Sequence, residues 1–97
     1  MSLLDRFRVD GKVAIVTGAG RGIGAASALA LAEAGADVAI TYLNEKSKAY
    51  VEPLARELGA EIFLPLDVSV EGQLEAVFDQ VTQRWGQLDI LVHSIAF

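Results

Sequence analysis

Val13-Ala14-Ile15-Val16-Thr17-Gly18-Ala19-Gly20-Arg21-Gly22-Ile23-Gly24 joins an apolar run to a glycine-rich turn, and an Ala-rich segment ending at Gly35 follows without a break. Strand, turn and helix in one continuous stretch are the context in which a glycine pattern predicts a dinucleotide-binding site. Glycines at 18, 22 and 24 let the backbone turn tightly, approach a pyrophosphate and pack the helix against the strand. The helix start then offers unpaired N–H groups and the positive end of its dipole to phosphates, an attraction that operates even on an acidic protein.

The spacing is Gly-x-x-x-Gly-x-Gly, with Ile23 where the third glycine of Gly-x-Gly-x-x-Gly would fall. It is not a nucleotide-hydrolysing P-loop, because Ile23-Gly24-Ala25 offers neither a lysine for phosphates nor a hydroxyl for magnesium.

The rest of the chain reads as an alternation of strands and helices, and therefore as a parallel sheet. Strands are expected over Val13–Thr17, Asp37–Thr41, Ile62–Leu66 and Ile90–His93. The first helix runs from about Arg21 to Ala34. The second runs from about Glu45 to Leu58 and ends at Gly59, with Val51, Leu54 and Leu58 facing inward and Pro53 kinking it or starting its better half. Asp67-Val68-Ser69 leads into a third helix, which carries Leu74, Val77, Phe78, Val81 and Trp85 on one stripe and stops at Gly86. With right-handed crossovers the fold is an α/β, Rossmann-like half fold in three layers, its four-stranded sheet ordered 3-2-1-4. The switch point between strands one and four is then the ligand crevice. The fourth strand is left as a sheet edge, which predicts self-association through that edge or through the uncovered sheet face.

Length and composition narrow the class. The 97 residues are expected to form a single truncated domain, 1–97, too short for a complete six-stranded dinucleotide fold. A net charge of −5 and eight basic residues argue against nucleic acid or an acidic membrane surface. No apolar run approaches the length of a membrane span. The lack of cysteine excludes disulfides and thiolate metal sites and fits a cytoplasmic location. No metal site is expected.

Thr17-Gly18-x-x-x-Gly22-Ile23-Gly24, Asp67-Val68 after the third strand and Leu88-Asp89-Ile90-Leu91-Val92 entering the fourth resemble the N-terminal half of the short-chain dehydrogenase/reductase family. Residues 1–36 are similar to its ketoreductase-like branch. From residue 41 on, Tyr42-Leu43-Asn44-Glu45-Lys46, Phe63-Leu64-Pro65-Leu66-Asp67-Val68 and His93-Ser94-Ile95-Ala96-Phe97 resemble the bacterial enoyl-acyl-carrier-protein reductases, enzymes of fatty acid synthesis. The two likenesses meet near residues 37–41, the pattern of a recombined or truncated chain, with a naturally divergent reductase as the alternative.

The resemblance implies a cofactor site and no catalytic one. Gly18, Gly22, Ile23 and Gly24 would line the pyrophosphate, with Thr17 closing the turn. Asp67 would accept from the adenine amino group while Val68 holds the ring; otherwise Asp67 is a helix-leading residue beside Ser69 as N-cap. Ser94, with the backbone through Ile95 and Ala96, would lie under the nicotinamide ribose. Tyr42 would flank the adenine or its ribose, or pack on the surface. The enoyl-reductase likeness favours NADH, whereas Arg21, if not merely a solvated helix-start residue, favours the extra phosphate of NADPH; the absence of an acid over residues 41–44 leaves NAD and NADP open. The family's catalytic Tyr and Lys have no counterpart, because Tyr42 and Lys46 fall at the adenosine end of the crevice and Tyr50 has no suitably spaced lysine. No chemistry is assigned to His93. Three expectations follow: a dinucleotide-binding half-domain inactive by itself, a reductase piece that needs its C-terminal half, or a recombined folding unit with a vestigial site.

Overall fold

A computed structural model describes residues 4–18 and 22–94. After a 3-10 turn at Leu4–Phe7 come β1 (Val13–Thr17), α1 (Gly22–Glu33), β2 (Asp37–Tyr42), α2 (Glu45–Leu58), β3 (Ile62–Pro65), α3 (Gln73–Trp85) and β4 (Ile90–His93). All three pairings are parallel and the strand order is β3-β2-β1-β4, as the alternating pattern predicts. Every residue of β1 is buried, which is what a central parallel strand covered on both faces requires.

Side-chain alternation along the strands divides the core in two. Ala14, Val16, Val38, Ile40 and Tyr42 pack against Ala28 of α1 and against Val51 and Ala55 of α2. On the opposite face Val13, Ile15, Ala39, Ile62 and Leu66 meet Val77 and Val81 of α3. The three layers are thus two helices, the sheet and one helix. Ala28 has no exposed surface and α1 touches both β1 and β2, so its alanines permit the close approach read from the sequence.

Several local expectations change. The second helix runs unbroken through Pro53, which is exposed. It begins with a capping box: the Ser47 N–H donates to Asn44 Oδ1 at 2.9 Å and the Asn44 N–H donates to Ser47 Oγ at 3.0 Å. β2 extends one residue further, to Tyr42, and β3 one residue less, to Pro65. The Leu66 N–H still donates to the Tyr42 carbonyl at 2.7 Å. Pro65, one position earlier, therefore turns its nitrogen to the free edge, where the missing N–H breaks no ladder bond.

The third helix starts at Gln73 with Gly72 as its N-cap, so Ser69 is not the cap. Ser69 instead closes a turn on Asp67, donating to Oδ1 from its N–H at 2.9 Å and from its hydroxyl at 2.6 Å. The apolar stripe of this helix is half right: Val77 and Val81 are buried and Trp85 packs on them, but Leu74 and Phe78 are each about two-fifths exposed. One helix alone cannot cover this face of four strands. β4 correspondingly alternates, with Ile90 and Val92 half-buried toward the two-helix side and Leu91 exposed on the other.

Thr41 has no exposed surface, and its hydroxyl has no hydrogen-bond partner among the described residues. A buried unpaired hydroxyl is destabilising, so Thr41→Val is expected to raise stability by about 1 kcal/mol, read from the midpoint of denaturant unfolding. A loss of stability would show that the hydroxyl has a partner in solution.

Candidate functional site

The site begins where β1 ends. Gly18 takes φ +65° and Gly22, the first residue of α1, takes the same angle, so both occupy the left-handed region that favours glycine. Gly24 answers a different demand. A Cβ there would collide with the Gly18 carbonyl and lie 2.5 Å from Ser94 Oγ, while a Cβ on Gly18 would lie 2.8 Å from the Ser94 carbonyl. The turn, the first turn of α1 and the end of β4 are therefore in backbone contact, and side chains at 18 and 24 are excluded by protein atoms. At Gly22 no atom of the described residues lies within 4 Å of the added Cβ, and among them the requirement is conformational alone.

Ser94 ties these parts together. Its hydroxyl donates to the Thr17 carbonyl, with the Gly18 carbonyl 3.3 Å away, and its N–H donates to Thr17 Oγ1 at 3.2 Å. Thr17 is itself buried. At the other end of the same strand pair, Asp89 Oδ2 accepts from the Val13 N–H at 2.8 Å while the Asp89 N–H donates to the Val13 carbonyl at 3.0 Å. β4 is thus fastened to β1 at both ends, by Asp89 below and Ser94 above. The sequence quotes Leu88-Asp89-Ile90 only as part of a motif; that its carboxylate caps the first N–H of β1 comes from the structure.

The remaining candidates distribute unevenly. Asp67 and Val68 follow the C-terminal end of β3, on the same rim as the turn, and Val68 is exposed. Both bonds to Ser69 fall on Asp67 Oδ1, so Oδ2 takes no part in that turn, and the Asp67 N–H donates to Gln73 Oε1 at 2.7 Å. Ile23 is 77% exposed at the start of α1. Tyr42 is corrected: its ring is buried among α2 and β3 residues, tilted on Phe63 with centroids 4.7 Å apart, and Lys48 Nζ lies 5.7 Å from it. An aromatic ring at that strand position points into the two-helix core, and so it is not surface packing. Arg21, Ile95 and Ala96 lie outside the described residues.

Two carboxylates of this frame have lowered pKa values. The Val13 N–H, followed by the Gln87 amide, holds the Asp89 carboxyl below its ordinary range, and the Ser69 hydroxyl and N–H do the same for Asp67. A depressed folded-state pKa gives stability that is present above the unfolded value of about 3.9 and disappears as pH falls through the folded value. The melting temperature is expected to hold from neutrality to about pH 5 and to drop below about pH 4. Asp89→Asn should flatten that drop; an unchanged slope would remove Asp89 from the account.

Comparison with known proteins follows the same lines. Residues 18–97 match the family model described as enoyl-(acyl carrier protein) reductase. The chain belongs to that family, within the short-chain dehydrogenases/reductases. A short-chain dehydrogenase/reductase of Pestalotiopsis microspora is 49% identical over 88 residues, covering 88% of the chain and 33% of that protein. An NADH-dependent enoyl-[acyl-carrier-protein] reductase of Haemophilus influenzae is 40% identical over 91 residues, covering 92% of the chain and 35% of that protein. The enoyl-(acyl-carrier-protein) reductase of Anaplasma phagocytophilum, solved in complex with NAD, superposes with a TM-score of 0.82 at 37% identity, over 91% of the chain and 35% of that structure. The chain therefore spans about a third of the length of these family members and aligns with their N-terminal part. Both kinds of relative reach across residues 37–41, where the two likenesses in the sequence meet.

Proposed function

We propose that the chain is a dinucleotide-binding half-domain that holds a nicotinamide cofactor by its diphosphate at the Gly18–Gly24 turn. The observation that carries this reading is the contact of Gly18 and Gly24 with Ser94, at the point where the sheet order reverses between β1 and β4. That contact brings the start of α1 against the ends of β1 and β4. The first-turn N–H groups of a helix lack intrahelical partners, and a diphosphate meets that need. Gly18, Gly22, Ile23 and Gly24 would hold the diphosphate, Asp67 through its free Oδ2 and Val68 the adenine, and Ser94 the nicotinamide-side ribose. Arg21, Ile95 and Ala96 are assigned to the same site from the sequence resemblance. The cofactor, once bound, supplies a hydride donor or acceptor; the protein residues named here bind and orient it.

Either NAD or NADP fits the reading. The Asn44 side chain, the last polar group before α2, is engaged in the capping box, and no carboxylate stands at the end of β2 to repel a 2′-phosphate. Titration with NADH and with NADPH at millimolar concentration, followed by amide shifts at Gly18, Gly22 and Gly24, tests both the site and the choice of form. Millimolar concentrations are needed because the chain corresponds to about a third of its relatives and carries a correspondingly smaller share of their contacts. Shifts confined to other parts of the chain would refute the proposal.

A second reading, a reductase whose catalytic Tyr and Lys come from a C-terminal part, is favoured by the one-third coverage of the relatives. Tyr42 sits on β2, with β1 between it and β4, and is buried, which leaves it in no position to serve. Self-association through the β4 edge or the face bearing Leu91 belongs to the same proposal, as does a cytoplasmic location. Light scattering that gives the monomer mass at high concentration would exclude the former. Among the described residues no helix is long and apolar enough to cross a membrane.

A further inference from the structure

The Thr17 hydroxyl has one proton and two acceptors near it. His93 Nδ1 lies 2.9 Å from Oγ1 and the Val92 carbonyl lies 3.4 Å away. The same oxygen receives the Ser94 N–H at 3.2 Å. A hydroxyl that gives its proton to one neighbour keeps its lone pairs for another, and the shorter contact takes the proton. That arrangement goes with the tautomer in which His93 Nδ1 accepts and the ring proton sits on Nε2. His93 is exposed at the end of β4, whereas Thr17 is buried, so the exposed ring orients a buried hydroxyl.

We infer that His93 is a positioning residue for the cofactor turn: by accepting the Thr17 hydroxyl proton it fixes that oxygen to receive the Ser94 N–H, and so seats Ser94 against Gly18 and Gly24. The chain of contacts is short and continuous. His93 holds Thr17, Thr17 holds the Ser94 N–H, and the Ser94 hydroxyl binds the Thr17 carbonyl beside that of Gly18. Without the imidazole, the acceptor left to the Thr17 proton among the described residues is the 3.4 Å carbonyl, a contact at the outer limit of a hydrogen bond. Ser94 would then lose one of the two constraints that keep it within contact distance of the turn. The role of His93 in binding rests on the diphosphate reading of that turn; its role in seating Ser94 does not.

Three readouts on the 97-residue chain separate these two statements. Nitrogen-15 NMR of the neutral ring reports the tautomer, amide exchange at Ser94 reports the seat, and titration with NADH reports the turn. Nδ1 is expected to be unprotonated. His93→Ala is expected to speed Ser94 exchange and weaken NADH binding, each about three- to tenfold, the scale of one neutral hydrogen bond. His93→Asn, whose side-chain amide can replace Nδ1 as the partner of Thr17, is expected to restore most of both. A ring protonated at Nδ1, or Ser94 exchange unaltered in His93→Ala, overturns the inference. If NADH at millimolar concentration shifts no resonance of the wild-type turn, the binding proposal falls, and the tautomer with Ser94 exchange still decides whether His93 positions Ser94.

Discussion

Gly24→Ala is expected to cost about 1–3 kcal/mol of folding stability and to weaken dinucleotide binding at least about tenfold, because the new methyl group has backbone on one side and Ser94 on the other. The Gly18 carbonyl cannot retreat without moving the end of β1, and Ser94 cannot retreat without giving up its bonds to Thr17. Gly22→Ala provides the contrast. Its methyl group meets no atom of the described residues, and the cost is that of a left-handed backbone, about 1–2 kcal/mol and less for Gly22→Asn. Thermal melts and NADH titrations of the three variants test the distinction. If Gly24→Ala and Gly22→Asn behave alike in both, the close fit of turn, helix and β4 is not what makes the site.

Ile15→Ala is expected to lower stability by about 2–5 kcal/mol and the melting temperature by at least about 10 °C. Ile15 is almost wholly buried in β1, paired with Ala39 on one side and Leu91 on the other, and packed in the cluster that includes Val77 and Val81. Among the described residues the face it occupies is covered by α3 alone, which leaves little neighbouring bulk to close a cavity. Domains of this size retain only about 5–15 kcal/mol of net stability, so the loss is a large share of it. Ile23→Ala, at the exposed start of α1, serves as the control and is expected to stay within about 0.5 kcal/mol. Equal losses at both positions would contradict a core divided between the two faces of the sheet.

Strand positions and their order were legible because the four apolar runs are separated by helical patterns that end at Gly35, Gly59 and Gly86. The turn was legible because its glycines stand between such a run and a helix. What escaped detection depended on atoms meeting from distant parts of the chain. Tyr42 looks like a residue at the mouth of the crevice until strand parity turns its ring toward Phe63 and α2. Ser69 next to Asp67 has the composition of a helix cap, but the side chain of Asp67 captures it in a local turn and the helix starts four residues later. Leu74 and Phe78 have helical spacing and still face solvent, because periodicity shows which side of a helix is apolar and not how much sheet lies beneath it. The clamp of Asp89 on Val13 and the bond between Thr17 and His93 each join residues 76 positions apart and leave no pattern along the sequence.

That separation also bears on the order of assembly. β1 meets β2 across a short crossover, whereas its union with β4 closes a loop of about 76 residues, the slowest closure this topology contains. Because Ser94 makes the floor of the glycine turn, that floor is complete only once β4 has joined β1. A nucleotide that recognises the finished floor would act as a latch on the last event of refolding, trapping molecules that have joined their two ends and ignoring those that have not.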